Sequence, residues 1–120
     1  MMAAKGRVEL RSRTLEMPKV LASYGITLAI TTDHPVVSLK LLPVQVALAI
    51  REGLPFDEAL KAVTINAAKI LGVSDRVGSI EVGKDGGVVV LSRRPFDIEA
   101  KVLYTIVNGR VAYSLEEVRR

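Results

Sequence analysis

Two neighbouring residues of this chain, Asp33 and His34, have side chains suited to catalysis. They follow the run ITLAIT at 26–31, in which large apolar residues alternate with threonine or alanine. This alternation predicts a β-strand at 26–32 that is covered on both faces. Because ligands and catalytic groups collect at the carboxyl ends of strands in α/β proteins, the position predicts a chemical role for the Asp33 carboxylate.

These residues also have interpretations that involve no chemistry. An aspartate two residues before a proline is common in turns, so Asp33 could simply turn the chain before Pro35. A lone histidine such as His34 is more often a partly exposed loop residue than a metal ligand or a catalytic residue. Thr64 and Asn66 are interpreted first as residues that begin or end a helix, and second as support for an active site.

The composition is that of one folded domain, and it excludes several kinds of site. The chain has 120 residues, of which 49% are hydrophobic, enough to bury a core. It contains no cysteine, which excludes disulfides, thiolate nucleophiles and sulfur-ligated metals and is typical of a cytoplasmic protein. With one histidine, the chain cannot build a multi-histidine metal site alone.

The charge pattern predicts neither a nucleic-acid partner nor a membrane partner. The net charge of +4 comes largely from basic residues near the two ends, and two Phe and three Tyr offer no stacking platform for bases. The longest apolar stretch, at 39–50, is interrupted by polar residues and is too short to span a bilayer. Charged residues between positions 5 and 16 do not fit a secretory signal.

The predicted organisation has four parts along the chain. These are an arm or loop at 1–13, a unit of helices around the strand at 14–76, a β unit at 77–114 and a tail at 115–120. The helix before the strand is predicted to be capped by Thr14 and stopped by Gly25.

Two more helices are predicted after the strand. The apolar stretch at 39–50 predicts a helix buried on several sides. A second helix is predicted to begin at Pro55 and to run to Ile70, with acidic residues in its first turn. Asn66 is a candidate cap for a renewed turn inside it.

The β unit is predicted from short runs rich in β-branched residues, at 80–82, 88–91 and 102–107. Asn108-Gly109 separates the last of these from 110–113 and is a strong signal for a β-hairpin. The glycine-rich stretch at 78–87 is not interpreted as a phosphate-binding loop, because it lacks the strand-to-helix setting and the Lys-Ser/Thr ending.

The order of these pieces resembles the C-terminal end of the amidohydrolase superfamily, close to its imidazolonepropionase-like branch. The pieces are TTDHP at 31–35, the two helices, TINAAKILG at 64–72, GSIEVGKD at 78–85 and VNGRV at 107–111. Each is weak alone, but five in this order and spacing make the resemblance fairly specific. It covers residues 7–114, nearly the whole chain.

The resemblance implies an α/β fold: the last strand-helix unit of a metal-dependent (β/α)₈ hydrolase barrel, plus the C-terminal strands of a small β-sandwich domain. It implies hydrolysis of C–N bonds in cyclic or linear amides. Asp33 matches the aspartate at the end of the eighth strand, which approaches a divalent metal such as zinc or iron and takes a proton from the attacking water. His34 follows this aspartate and is expected to face the substrate.

The chain departs from the family pattern in the residues that it lacks. Such a barrel has about 250 residues, and it carries a His-x-His pair and further metal ligands that this chain does not contain. Gly86-Gly87 also stands where the family more often has Ala-Asp. Asp33 is therefore expected to be a metal ligand only in a complete barrel, and the chain alone is expected to be inactive and to bind no metal tightly.

Two functions of different classes follow from this departure. The chain is either the C-terminal part of an amidohydrolase-like enzyme, whose partner is the missing N-terminal portion, or a non-catalytic remnant that associates with itself or with another protein. A homo-oligomer is predicted for the chain alone, because the strand would have unpaired edges. A continuous upstream reading frame with a His-x-His pair would favour the enzyme.

Overall fold

Helices are the regular elements between residues 17 and 70, and strands predominate between residues 88 and 114. The computed structural model describes residues 15–119. Its helical part comprises α1 (Met17–Ser23), a 3₁₀ turn (Leu39–Leu41), α2 (Leu42–Arg51), α3 (Phe56–Ala62) and α4 (Ile65–Ile70). Strands β1 (Val88–Leu91), β2 (Val102–Val107) and β3 (Arg110–Ser114) and the short helix α5 (Leu115–Val118) follow. This mixture supports the predicted α/β class.

The predicted first helix is present as α1. Pro18 stands in its first turn, where the missing N–H of proline leaves no helical hydrogen bond unmade. After the helix, Gly25 has a φ of 72°, a left-handed conformation that glycine adopts readily. The predicted cap Thr14 and the predicted arm at 1–13 lie outside the described residues.

The core lies where α2 meets α3. It is formed by side chains that are at most 2% exposed, Val46, Ala49, Leu54 and Ala59. The helix predicted at 39–50 is confirmed by the 3₁₀ turn at Leu39–Leu41 and by α2, which begins at Leu42. Val46 and Ala49 on α2 contribute to the core. Pro43, in the first turn of α2, is compatible with this start.

The helix predicted from Pro55 to Ile70 is divided in two by Val63 and Thr64. Thr64 has φ −131° and ψ −102°, far from helical values, and occupies the N-cap position of α4. Its hydroxyl donates a hydrogen bond of 2.7 Å to the carbonyl of Leu60 in the preceding helix. The prediction that Thr64 punctuates a helix is confirmed, whereas the prediction that Asn66 caps the renewed turn is wrong.

The strand predicted at 26–32 is not formed, because no other strand of the described residues lies beside it to complete a ladder. Its expected alternation nevertheless survives in the burial of the side chains. Leu28 is 8% exposed and Thr32 is 2% exposed, whereas the side chains of Thr27, Ala29 and Thr31 are exposed. The segment is thus covered on one side, and the prediction of two covered faces is wrong.

The β unit is an antiparallel sheet of three strands in the order β1-β2-β3. It confirms the strands predicted at 88–91, 102–107 and 110–113. The strand predicted at 80–82 is wrong, because Gly78 and Gly83, with φ of 97° and 91°, turn the chain on both sides of it. Part of the tail predicted at 115–120 instead forms α5, which packs on β2 and β3.

The predicted Asn108-Gly109 hairpin is confirmed. Val107 pairs with Arg110 across the turn. Asn108 and Gly109 have φ of 50° and 73°, so both central residues adopt the left-handed conformation that a type I′ turn requires.

Replacing Gly109 with valine is expected to lower the free energy of unfolding by about 1 kcal/mol or more, because a β-branched residue resists positive φ. Urea denaturation measures the effect. Gly87→Val is a matched control, since Gly87 has no positive φ and its added Cβ would meet nothing within 4 Å. Equal stability of the two variants would argue against a tight turn at Gly109.

The loop between β1 and β2 joins the sheet to the helices. Phe96, with a φ of 69°, packs against the core cluster, and its ring centroid lies 5.9 Å from that of Phe56 on α3. The guanidinium of Arg94 lies 3.8 Å from the centroid of the same Phe56 ring, within the range of a cation–π interaction. These aromatic contacts hold the two parts of the fold together.

Candidate functional site

Asp33 directly follows the one-sided segment 26–32, at the end that points toward α2. Its backbone has a φ of 55° and makes a tight turn, in which its carbonyl accepts a hydrogen bond of 2.8 Å from the N–H of Val36. The N–H of Asp33 donates to the hydroxyl of Thr31 at 3.3 Å. The turn is thus held by the backbone of Asp33, and its carboxylate is exposed and makes no hydrogen bond or ion pair within residues 15–119.

His34 is exposed and attached to the 3₁₀ turn that precedes α2. Its Nδ1 accepts a hydrogen bond of 3.2 Å from the backbone N–H of Leu39. The ring therefore satisfies one of the N–H groups that a helical start leaves without a partner. The structure places His34 beside Asp33 in a braced loop, as its position in the sequence predicts.

Two hydrogen bonds attach the segment before Asp33 to the helices. The side-chain amide of Asn66 donates to the carbonyl of Leu28 at 3.2 Å, and the N–H of Ile30 donates to the carbonyl of Ala62 at 3.1 Å. Asn66 is buried, so this bond replaces water that the Leu28 carbonyl has lost. Asn66 therefore positions the segment that carries Asp33. From the sequence, support of an active site was only the second interpretation of Asn66, and this partner was not predicted.

On the opposite side of this segment, no backbone hydrogen bond is formed with residues 15–119. Along a chain with strand-like alternation, the N–H and C=O groups of successive residues face opposite sides. The Leu28 carbonyl and the Ile30 N–H bond to the helical side, whereas within residues 15–119 the N–H and C=O groups of Thr27, Ala29 and Thr31 make no backbone hydrogen bond. These are the groups with which an additional strand would pair.

The described residues do not by themselves fit a metal centre. Among residues 15–119 no group of three or more His, Cys, Asp or Glu side chains is close enough to hold an ion. A structural or catalytic zinc site usually needs at least three protein ligands. The loop that follows segment 26–32 offers the exposed carboxylate of Asp33 and an adjacent histidine whose Nδ1 already accepts a hydrogen bond.

Lys84 lies in the glycine-rich stretch at 78–87, and its role is structural. Its ammonium group donates to the carbonyl of Ser74 at 2.6 Å and to the hydroxyl of Ser79 at 2.7 Å. The hydroxyl of Ser79 and the nearby Lys84 hold the pKa of Glu81 below its usual range. Because these partners satisfy the ammonium group, the loop at 78–87 is tied to itself rather than arranged around a ligand.

No helix among residues 15–119 has the length and apolar character needed to cross a membrane.

Comparison with known proteins identifies the family. The sequence profile described as the amidohydrolase family matches residues 13–113. The chain belongs to the amidohydrolase family. The match includes the segment 26–32, Asp33, His34 and all of the β sheet except Ser114.

Relatives and solved structures agree with this assignment. The imidazolonepropionase of Cupriavidus necator is 41% identical over 80 residues, covering 62% of this chain and 19% of that protein. The imidazolonepropionase of Thermoplasma acidophilum is 38% identical over 99 residues, covering 75% and 24%. The crystal structure of an amidohydrolase from Thermotoga maritima superimposes with a TM-score of 0.88 at 40% identity, covering 92% of this chain and 29% of that one.

The chain spans only a small part of the amidohydrolases that it matches. It covers 10% of the amidohydrolase tasK of Hapsidospora irregularis, to which it is 30% identical over 95 residues. The activity of a whole amidohydrolase can therefore only be proposed for a protein that contains this chain.

Proposed function

We propose that this chain is the C-terminal part of a metal-dependent amidohydrolase of the imidazolonepropionase-like branch, which hydrolyses C–N bonds in cyclic or linear amides in the cytoplasm. In this proposal residues 14–76 contain the last strand-helix unit of a (β/α)₈ barrel. The sheet β1–β3 is the C-terminal part of a small β-sandwich. The carrying observation is the exposed Asp33 carboxylate at the end of a segment in which Thr27, Ala29 and Thr31 make no backbone hydrogen bond to the described residues.

The role proposed for Asp33 follows from the chemistry of amide hydrolysis. A water that attacks an amide carbonyl must lose a proton, and the leaving nitrogen must gain one. A carboxylate in a fixed position can accept the first proton and supply the second. In the complete protein Asp33 would also be this chain's ligand to a divalent metal such as zinc or iron, which lowers the pKa of a bound water.

The first test is the sequence upstream of Met1. A continuous reading frame that carries a His-x-His pair supports the enzyme, and the longer protein that it encodes should then open a cyclic amide such as an imidazolone ring. Hydrolysis is followed by the loss of the ring's ultraviolet absorbance. A purified, metal-loaded longer protein that opens neither cyclic nor linear amides would contradict the proposal.

The 120-residue chain alone is expected to hold no divalent metal tightly and to hydrolyse no amide, because one carboxylate and one neighbouring histidine do not complete a metal site. Elemental analysis of the purified chain and a hydrolysis assay measure both. Stoichiometric zinc or iron, together with activity that is lost in Asp33→Asn, would overturn this expectation.

A second candidate function is a non-catalytic module that associates with itself. It is favoured by the N–H and C=O groups of Thr27, Ala29 and Thr31, which make no backbone hydrogen bond within residues 15–119, since such an edge can accept a strand from another chain. Nearby apolar side chains are also exposed, Val36 by 66% and Leu39 by 59%. A dimer would cover such a surface.

The chain alone is accordingly expected to form a homo-oligomer, most simply a two-fold dimer, at micromolar concentration. Sedimentation measures its mass. Ala29→Pro removes an N–H from the open side and is expected to weaken the assembly, whereas the control Ala29→Ser keeps that N–H. A clean monomer, or equal association of the two variants, would contradict pairing through this segment.

A further inference from the structure

We propose that His34 is held in one neutral tautomer, with its proton on Nε2, and presents this N–H as a hydrogen-bond donor to an oxygen of the amide substrate that reacts at Asp33. His34 is then a positioning residue and not a metal ligand through Nδ1. The donor role depends on the proposed function, whereas the tautomer depends only on the structure.

The tautomer follows from one hydrogen bond. The backbone N–H of Leu39 lies 3.2 Å from Nδ1 of His34. A backbone N–H can only donate, so Nδ1 must offer a lone pair, and the proton of the neutral ring is on Nε2. The same lone pair is then not available to a metal ion.

The direction of the free N–H follows from the geometry of the ring. The two nitrogens of imidazole are separated by one carbon, and their bonding directions diverge widely. Because Nδ1 faces Leu39, Nε2 is directed away from the 3₁₀ turn. The side chain is exposed, so the Nε2–H group is accessible to a ligand.

The loop that carries both residues is braced at several points. The carbonyl of Asp33 accepts a bond of 2.8 Å from Val36, His34 is tied to Leu39, and the side chain of Val37 between them is only 8% exposed. A donor that is braced on the residue directly after Asp33 is suited to orient a substrate, since little freedom is lost when the substrate binds. The ligand class that fits is an amide with a carbonyl or carboxylate oxygen beside its reacting carbon.

The tautomer is measured directly by nuclear magnetic resonance. Because His34 is the only histidine, a long-range ¹H–¹⁵N spectrum of the labelled chain contains one imidazole pattern. At a pH of about 8.5, well above the pKa of a free imidazole, we expect the pattern of a protonated Nε2 and an unprotonated Nδ1. A protonated Nδ1, or rapid exchange between the tautomers, would overturn the proposal.

Two variants of the longer protein test the donor. His34→Asn keeps an acceptor near the position of Nδ1 but has no group at Nε2, whereas His34→Gln keeps an N–H donor near Nε2 and loses the acceptor. Loss of the donor is expected to lower kcat/KM of His34→Asn about tenfold, mostly through KM, and His34→Gln is expected to recover most of it. Wild-type kinetics in His34→Asn, or a larger loss in His34→Gln, would overturn the donor role.

The failure of this inference differs from the failure of the proposed function. If His34→Asn behaves as wild type while Asp33→Asn is inactive, the enzyme stands and the donor role is wrong. If the longer protein hydrolyses no amide, the proposed function is wrong, and the donor role is overturned with it.

Discussion

Asp33→Asn is expected to lower kcat/KM of the longer protein for its amide substrate by about 10²–10⁴-fold, the usual loss when a general base is removed. The amide of asparagine has nearly the shape of the carboxylate, but it cannot accept the proton of the attacking water. Assays of amide hydrolysis under saturating metal measure the loss.

This substitution is well suited to separate chemistry from folding. Asp33 has a φ of 55°, and asparagine is one of the few residues that tolerate this conformation, so the turn before Val36 is expected to persist. Asp57→Asn, an exposed aspartate in the first turn of α3, makes the same change in charge away from the site. Equal activity of the two variants would argue that Asp33 is only a turn residue.

Gly78→Ala is expected to lower the free energy of unfolding by about 2–5 kcal/mol, the largest effect on stability that we predict for a single methyl group. Gly78 has a φ of 97°, which disfavours any side chain. An added Cβ would also lie 2.7 Å from the Cβ of Ala68 and 3.0 Å from the Cα of Ile65, both on α4. The glycine is therefore required by close packing as well as by its conformation.

Gly72→Ala separates these two causes. Gly72 has a φ of 74°, but an added Cβ would meet nothing within 4 Å, so the expected loss is only the conformational cost of about 1–2 kcal/mol. Urea denaturation of both variants measures the difference. If Gly78→Ala is no less stable than Gly72→Ala, the loop at 78 does not pack on α4 as the structure shows.

The candidate site was only partly predictable from the sequence. Asp33 and His34 are recognisable because a residue's position after a strand-like run can be read without knowing the fold. Asn66 is different, since its partner, the carbonyl of Leu28, is 38 residues away. The hydrogen bond between His34 and Leu39 also depends on how the loop folds, and no pattern of residue types predicts it.

The sequence by itself determined the local features of this protein, because their causes lie within a few residues. The Asn108-Gly109 turn follows from residues that adopt positive φ at little cost, and the buried helix at 39–50 follows from its apolar composition. The family could also be recognised from the order of the motifs. All these signals are carried by neighbours in the chain.

Only the tertiary structure decided the features that need a distant partner. The run at 26–32 has the alternation of a strand, but a strand exists only beside another strand, and none lies beside it among the described residues. Its burial is one-sided, since the side chains of Leu28 and Thr32 are buried whereas those of Thr27, Ala29 and Thr31 are exposed. The packing of Phe96 on Phe56, which joins sheet to helices, likewise depends on contacts between residues far apart in the chain.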